Sequence, residues 1–205
     1  MTARPESLAP LLARAQLWRG NQQASVRTQS TGHPGLDALL PGGGWPVGAL
    51  SEVLIPRLGC GELQLLMPWL IRLTQAGGRV ALLRPPLLPY APAFAQSGVV
   101  LSRLLVVNPE NEEAAQWACE QSLRSGGFSA VLAWPGRIAN QALRKLQLAA
   151  EAGDACGILY RNRSSLSEAS PAALRLELKD GPERLSVMVH KCRGGMPGRR
   201  WQQAA

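Results

Sequence analysis

Ser51–Leu66 is laid out like a phosphate-binding loop, but the side chains that would hold the phosphate are missing. Glu52–Ile55 reads as a short apolar strand, Pro56–Gly61 as a turn, and Glu62 as the start of a helix. A working loop carries G-x-x-x-x-G-K-[ST] at this junction. Its backbone N–H groups cradle phosphates, its lysine reaches the β- and γ-phosphates, and its hydroxyl holds Mg2+. The degenerate version here comprises Pro56, Gly59, Gly61, Glu62 and Leu63. Gly61 keeps the last turn glycine, but Glu62 stands where the lysine belongs and Leu63 where the hydroxyl belongs. A carboxylate at that point repels a nucleotide, so no bound cofactor is expected.

Other chemically capable side chains have plainer explanations. Ser164, Ser165, Ser167 and Ser170 share a loop with Glu168, but no G-x-S-x-G elbow surrounds them. Glu110, Glu112 and Glu113 open a helix, where acids suit the positive end of the dipole. Arg137, Arg144 and Lys145 fall on or near one helix as a solvated face. Cys60, Cys119, Cys156 and Cys192 are far apart, and His33 and His190 lie at no ligand spacing from them. That pattern fits reduced thiols rather than a metal site, and no catalytic residue is assigned.

These residues need elements to position them, and the chain supplies an alternation. Strands are read at 52–55, 79–83, 104–107, 129–134 and 156–160, and helices at 62–75, 92–97, 110–124 and 139–151. The strands are near-continuous apolar runs, which argues burial on both faces of a parallel sheet. Repeated strand–helix alternation makes a three-layer α/β domain. Leu174–Leu178 and Leu185–His190 instead alternate apolar with polar around Asp180-Gly181-Pro182, which reads as an appended antiparallel hairpin. Leu8, Leu11, Leu12, Ala15 and Trp18 give an amphipathic N-terminal helix. The organisation expected is therefore residues 1–29 as helix and linker, 30–193 as the core domain, and 194–205 as a mobile basic tail.

Bulk properties bound the partners. The 205 residues carry a formal net charge of +8, and no acid follows Glu183. Lys191, Arg193, Arg199 and Arg200 concentrate that charge near the C-terminus, where an acidic surface or DNA could meet it. Six tryptophans accompany only two phenylalanines and two tyrosines. Trp69, Trp117 and Trp134 are read as core. Trp18, Trp45 and Trp201 lie outside the predicted core elements, and Trp18 and Trp201 are taken as interface anchors. No apolar stretch reaches the roughly 20 residues of a membrane span, and the first ten residues do not read as a secretory signal. A cytoplasmic protein without membrane contact is expected, with self-association left open.

The order of these features resembles the RecA-type core. The lead-in Ser30-Thr31-Gly32, Leu36-Asp37, Gly42–Pro46, Gly48 and Glu52-Val53 is similar to the segment preceding the RecA phosphate loop, and the likeness runs to Lys191-x-Arg193-Gly194. Within that superfamily the phrases GGGWPVGALSE, LSRLLVV, AVLAWP, LQLAAE and KCRGGMP most resemble the ImuA family of translesion-synthesis accessory proteins. The division inhibitor SulA shares the middle of the pattern. An active RecA-like ATPase also needs a carboxylate after its second strand and an Asp ending the Walker B strand. Leu83–Pro86 and Trp134–Arg137 supply neither. Tyr90 falls where such proteins often stack adenine, although a structural role in the Pro-rich loop is the simpler reading. The resemblance thus implies a pseudo-ATPase acting as an SOS-induced adaptor that binds ImuB and RecA, alongside an error-prone C-family polymerase. The alternatives are a SulA-like inhibitor of FtsZ and a diverged DNA-binding ATPase.

Overall fold

The computed structural model describes residues 27–179 and 184–203, and an eight-stranded sheet runs through its centre. The chain order is β1 (Thr28–Gln29), α1 (Pro34–Asp37), β2 (Trp45–Pro46), β3 (Ala49–Ile55), α2 (Glu62–Gln75) and β4 (Val80–Leu83). It continues through α3 (Ala91–Gln96), β5 (Leu104–Val107), α4 (Glu112–Arg124), β6 (Ala130–Ala133), α5 (Asn140–Gly153) and β7 (Cys156–Asn162). The last strands are β8 (Leu174–Lys179), β9 (Ser186–Cys192) and β10 (Arg200–Gln202). The sheet order is β10-β9-β8-β3-β7-β6-β4-β5. From β8 to β5 every pair is parallel, whereas β9 pairs antiparallel with β8 and β10 antiparallel with β9. The expected α/β domain with a mostly parallel sheet and a C-terminal antiparallel hairpin is therefore present.

Two apolar cores flank the sheet. On one side Leu65, Leu66, Trp69 and Leu70 of α2 pack on Val53, Leu82, Leu132 and Ile158. On the other, Cys119 and Leu123 of α4 and Leu143, Leu146 and Ala150 of α5 pack on Leu50, Ala81, Val131 and Leu159. Alternate residues of each central strand thus enter opposite cores, which is why these strands are apolar throughout.

The glycine-rich lead-in is a packing device. A Cβ on Gly44 would lie 2.0 Å from the Gln29 carbonyl oxygen, so only glycine lets β1 and β2 close against each other. This places Trp45 fully inside, with its ring centroid 5.9 Å from that of Trp69, and corrects its reading as a residue outside the core.

Other expectations are corrected too. Residues 194–205 are not a mobile tail throughout, because Arg200–Gln202 form β10 in register with Ser186–Met188. Trp201 is accordingly no exposed anchor; its ring lies 4.9 Å from that of His33 and packs against the α2-side core. Trp117 is 65% exposed on the outer face of α4 rather than in the core. β5 is the sheet's edge strand, with Leu105 48% exposed, so burial on both faces does not extend to it. The amphipathic stretch with Trp18 lies outside the described residues.

Candidate functional site

The degenerate loop sits where β3 ends and α2 begins. Gly59 and Gly61 both take positive φ, +73° and +96°, and Gly61 is the N-cap residue of α2 without any side-chain cap. Glu62, the first helical residue, folds back on the loop. Its Oε1 accepts the Gly59 N–H at 3.1 Å, and the residue is 8% exposed. In a phosphate loop such an amide faces the bound anion. Here the chain's own carboxylate takes that amide and also answers the positive end of the helix dipole. Glu62 is thus folded against the backbone of the loop that precedes its own helix.

The neighbouring strand ends complete the plug. Tyr160 of β7 donates its hydroxyl to the Glu62 carbonyl at 3.0 Å. Burial, reinforced by Glu62 and Cys60, pushes the phenol well above its ordinary pKa. Trp134, just past β6, stacks on Tyr160 with centroids 4.6 Å apart and planes 21° from parallel. The residue that follows β6 is thus an indole packed on the end of β7. Two atoms of this plug, Glu62 Oε2 and the Trp134 indole nitrogen, are buried without hydrogen-bond partners. At the end of β4, Arg84 adopts φ +51° and pairs with Glu112 of α4 at 3.5 Å.

Over the plug lies a groove of 470 Å3 formed by the loop, α2 and the Pro-rich segment before α3. Leu58, Met67, Leu87, Leu88, Tyr90 and Phe94 contribute to its walls, and its lining includes no lysine or arginine. Among the described residues Glu62 is the sole charged group lining it. A polyphosphate needs cations to neutralise it, and this surface offers apolar area instead. Leu87, Leu88 and Tyr90 are 75%, 85% and 71% exposed, a contiguous apolar rim of the kind that marks contact surfaces. A second, polar cleft of 1140 Å3 opens between the loops after β6 and β7, with Arg137, Asn140, Arg161 and Ser164 among its lining.

Sequence reasoning missed a buried ion network beside this site. Glu52, fully buried in the middle of β3, receives Arg161 Nη1 of β7 at 3.0 Å and Arg175 Nε of β8 at 2.6 Å. Ser170 Oγ adds a third bond at 2.8 Å, and Arg161 also reaches Glu168 at 2.6 Å. Arg175 spends its remaining donors on the carbonyls of Ser165, Leu166 and Glu168, which ties down the loop after β7. The visible signal was a lone Glu within an apolar strand. A buried charge survives only if paired.

The predicted interface residues do not form one patch. Lys191 donates to the Ser170 carbonyl at 2.7 Å, and burial, with Arg193 and Arg175 nearby, lowers its pKa despite Glu52. Arg200 donates to Ser186 Oγ at 3.0 Å on the same sheet face. Arg193 and Arg199 are exposed, and Trp201 turns to the opposite face. Among the described residues no group of three His, Cys, Asp or Glu side chains is placed to hold a metal ion.

With this geometry in view, comparison with known proteins gives a consistent neighbourhood. The family model of the cell division inhibitor SulA matches residues 48–157. Protein ImuA from Caulobacter vibrioides (strain NA1000 / CB15N) is 27% identical over 206 residues, covering 86% of this chain and 84% of that protein. The cell division inhibitor SulA of Serratia marcescens is 27% identical over 120 residues, covering 58% of this chain and 71% of its own length. Protein RecA from Azoarcus sp. (strain BH72) is 29% identical over 113 residues, covering 55% of this chain and 33% of that protein.

Proposed function

The chain belongs to the family of the cell division inhibitor SulA, and from that premise we propose that it is a non-catalytic accessory protein of SOS-induced translesion DNA synthesis. It works as an adaptor that binds ImuB and RecA and, through them, serves an error-prone C-family polymerase. The likeness to ImuA supports this over a division inhibitor, because it runs along 86% of the chain, whereas the SulA relative from Serratia covers 58%.

The observation that carries the non-catalytic part is Glu62 on the Gly59 amide. Phosphoryl transfer depends on a lysine, Mg2+ and a positioned water. The loop, the β4 end and the β6 end lack the side chains for all three. What remains is a scaffold whose exposed surfaces do the work.

Co-purification of the full chain with RecA and with ImuB tests this reading. Retention of both partners, unaffected by ATP, is the expected result. Failure to retain either one overturns it. A second reading follows from the SulA match over residues 48–157, namely inhibition of division through FtsZ. Overexpression separates the two: filamentous cells support the inhibitor, and normal division supports the adaptor.

A further inference from the structure

The sheet face that carries Glu52 is covered by α4 and α5 over its parallel half. Over β8, β9 and β10 the described residues place no helix on that face, only the short 3-10 turn Arg163–Ser167 beside it. The strand registers decide what this open face displays. Leu174, Leu176 and Leu178 of β8 enter the α2-side core, so Arg175, Glu177 and Lys179 point the other way. Val187 and Val189 likewise leave Ser186, Met188 and His190 on the open side. A bulge in the β8–β9 ladder, between Arg175 and Leu176, adds a residue to β9 and brings Lys191 to the same side as His190. On β10, Trp201 pairs with Val187 and faces the core, so Arg200 and Gln202 face outward with Met188 and Ser186.

The cations on this face are held in place. Glu177 is almost completely buried; its Oε1 forms ion pairs with Arg163 Nε and Lys179 Nζ, and its Oε2 meets His190 Nε2, each at 2.6 Å. One carboxylate thus organises two permanent cations and an imidazole, leaving local positive charge. Arg163 keeps 59% of its side chain exposed and Lys179 31%. Fixing these long side chains beforehand lowers the entropy lost when they meet a partner.

We propose that the open β8–β9–β10 face, with Arg163, Lys179, Lys191 and Arg200, binds the phosphate backbone of duplex DNA. Charge complementarity selects the occupant. A protein partner of standard affinity would need aromatic or large apolar anchors, and this face offers only the half-buried Met188. Stacking of single-stranded bases needs aromatic platforms, and Trp201 faces the other way. The chain's own N-terminal segment, residues 1–26, carries Arg4, Arg14 and Arg19 against Glu6, the wrong sign for this surface. A second copy of the same face would be repelled. Backbone contacts of this kind position a protein on DNA without reading its sequence.

The test is fluorescence anisotropy of a labelled DNA duplex with the full chain, titrated at several salt concentrations. Binding should weaken with salt along a straight log–log line. Lys179→Gln combined with Arg200→Gln should lower the slope by about 2, since each phosphate contact contributes about 0.9. Arg199→Gln, just before β10 and outside the registered positions of this face, should leave it unchanged. Arg163→Gln, outside the sheet, should lower the slope by about 1 even if the double variant does not fold. Equal losses for Arg199→Gln and the open-face variants would overturn the proposal. So would salt-independent binding, or binding of polyglutamate with no binding of DNA.

Discussion

Glu62 is the residue on which the account turns. Its carboxylate accepts the Gly59 amide of the loop, its carbonyl accepts the Tyr160 hydroxyl, and Trp134 stacks on Tyr160. The buried titrating groups give a direct signature. Tyr160 keeps its proton in the fold beyond the ordinary tyrosine value of about 10, and burial pushes the Cys119 and Cys156 thiols up to about 12 from 9.0. All three are raised, so the folded state holds protons that the unfolded chain has released. Their contribution is complete below about pH 9, the ordinary thiol range, and is lost progressively as pH rises toward 12. Urea denaturation should therefore show a midpoint that is flat at neutral pH and falls in alkali. A midpoint unchanged up to pH 11 would contradict the burial of these groups. The same burial orders thiol reactivity. A thiol reagent at mildly alkaline pH should label the half-exposed Cys60 first, and Cys119, Cys156 and Cys192 only on unfolding.

Between residue and molecule, the last strand and the buried ion network make separate demands. Trp201 of β10 packs against His33 and the α2-side core, so Trp201→Ala should cost about 1–3 kcal/mol in chemical denaturation, as partial burial of a large aromatic implies. A flexible tail would show no change. Glu52→Gln leaves Arg161 and Arg175 facing a neutral amide inside the sheet and should cost about 3–5 kcal/mol. These two cases also show where the sequence stopped being legible. The parallel strands were readable because apolar runs bounded by glycine announce them, and the hairpin because Asp180-Gly181-Pro182 sits between alternating runs. β10 is three residues long, too short for any period to register, and its pairing with β9 comes from tertiary contact. Trp117 lies on α4 at helical spacing, but its face turns outward, which local pattern alone does not reveal. Arg161 and Arg175 stand at strand positions distant in sequence from Glu52, so their convergence depends on sheet order.

At the scale of the whole molecule, the site divides into three surfaces with different chemistry. The closed loop lies under an apolar groove, a polar cleft follows β6 and β7, and the open face of β8–β10 is basic. The loop's layout was legible from Gly61, Glu62 and Leu63, whereas its closure was not, because Tyr160 and Trp134 arrive from strands about 70 to 100 residues later in the chain. On the proposed reading hydrolysis has no part and recognition falls to the exposed surfaces. Its central claim is that the chain fills its own phosphate site. Equilibrium dialysis of the full chain against radiolabelled Mg·ATP tests this most directly. The account predicts no saturable uptake at millimolar nucleotide, for the native chain and for Glu62→Lys alike, because Leu63 and Trp134 still stand where a hydroxyl and a metal-holding carboxylate are required. Stoichiometric ATP retained by the native chain, and lost in Gly61→Val, would contradict it.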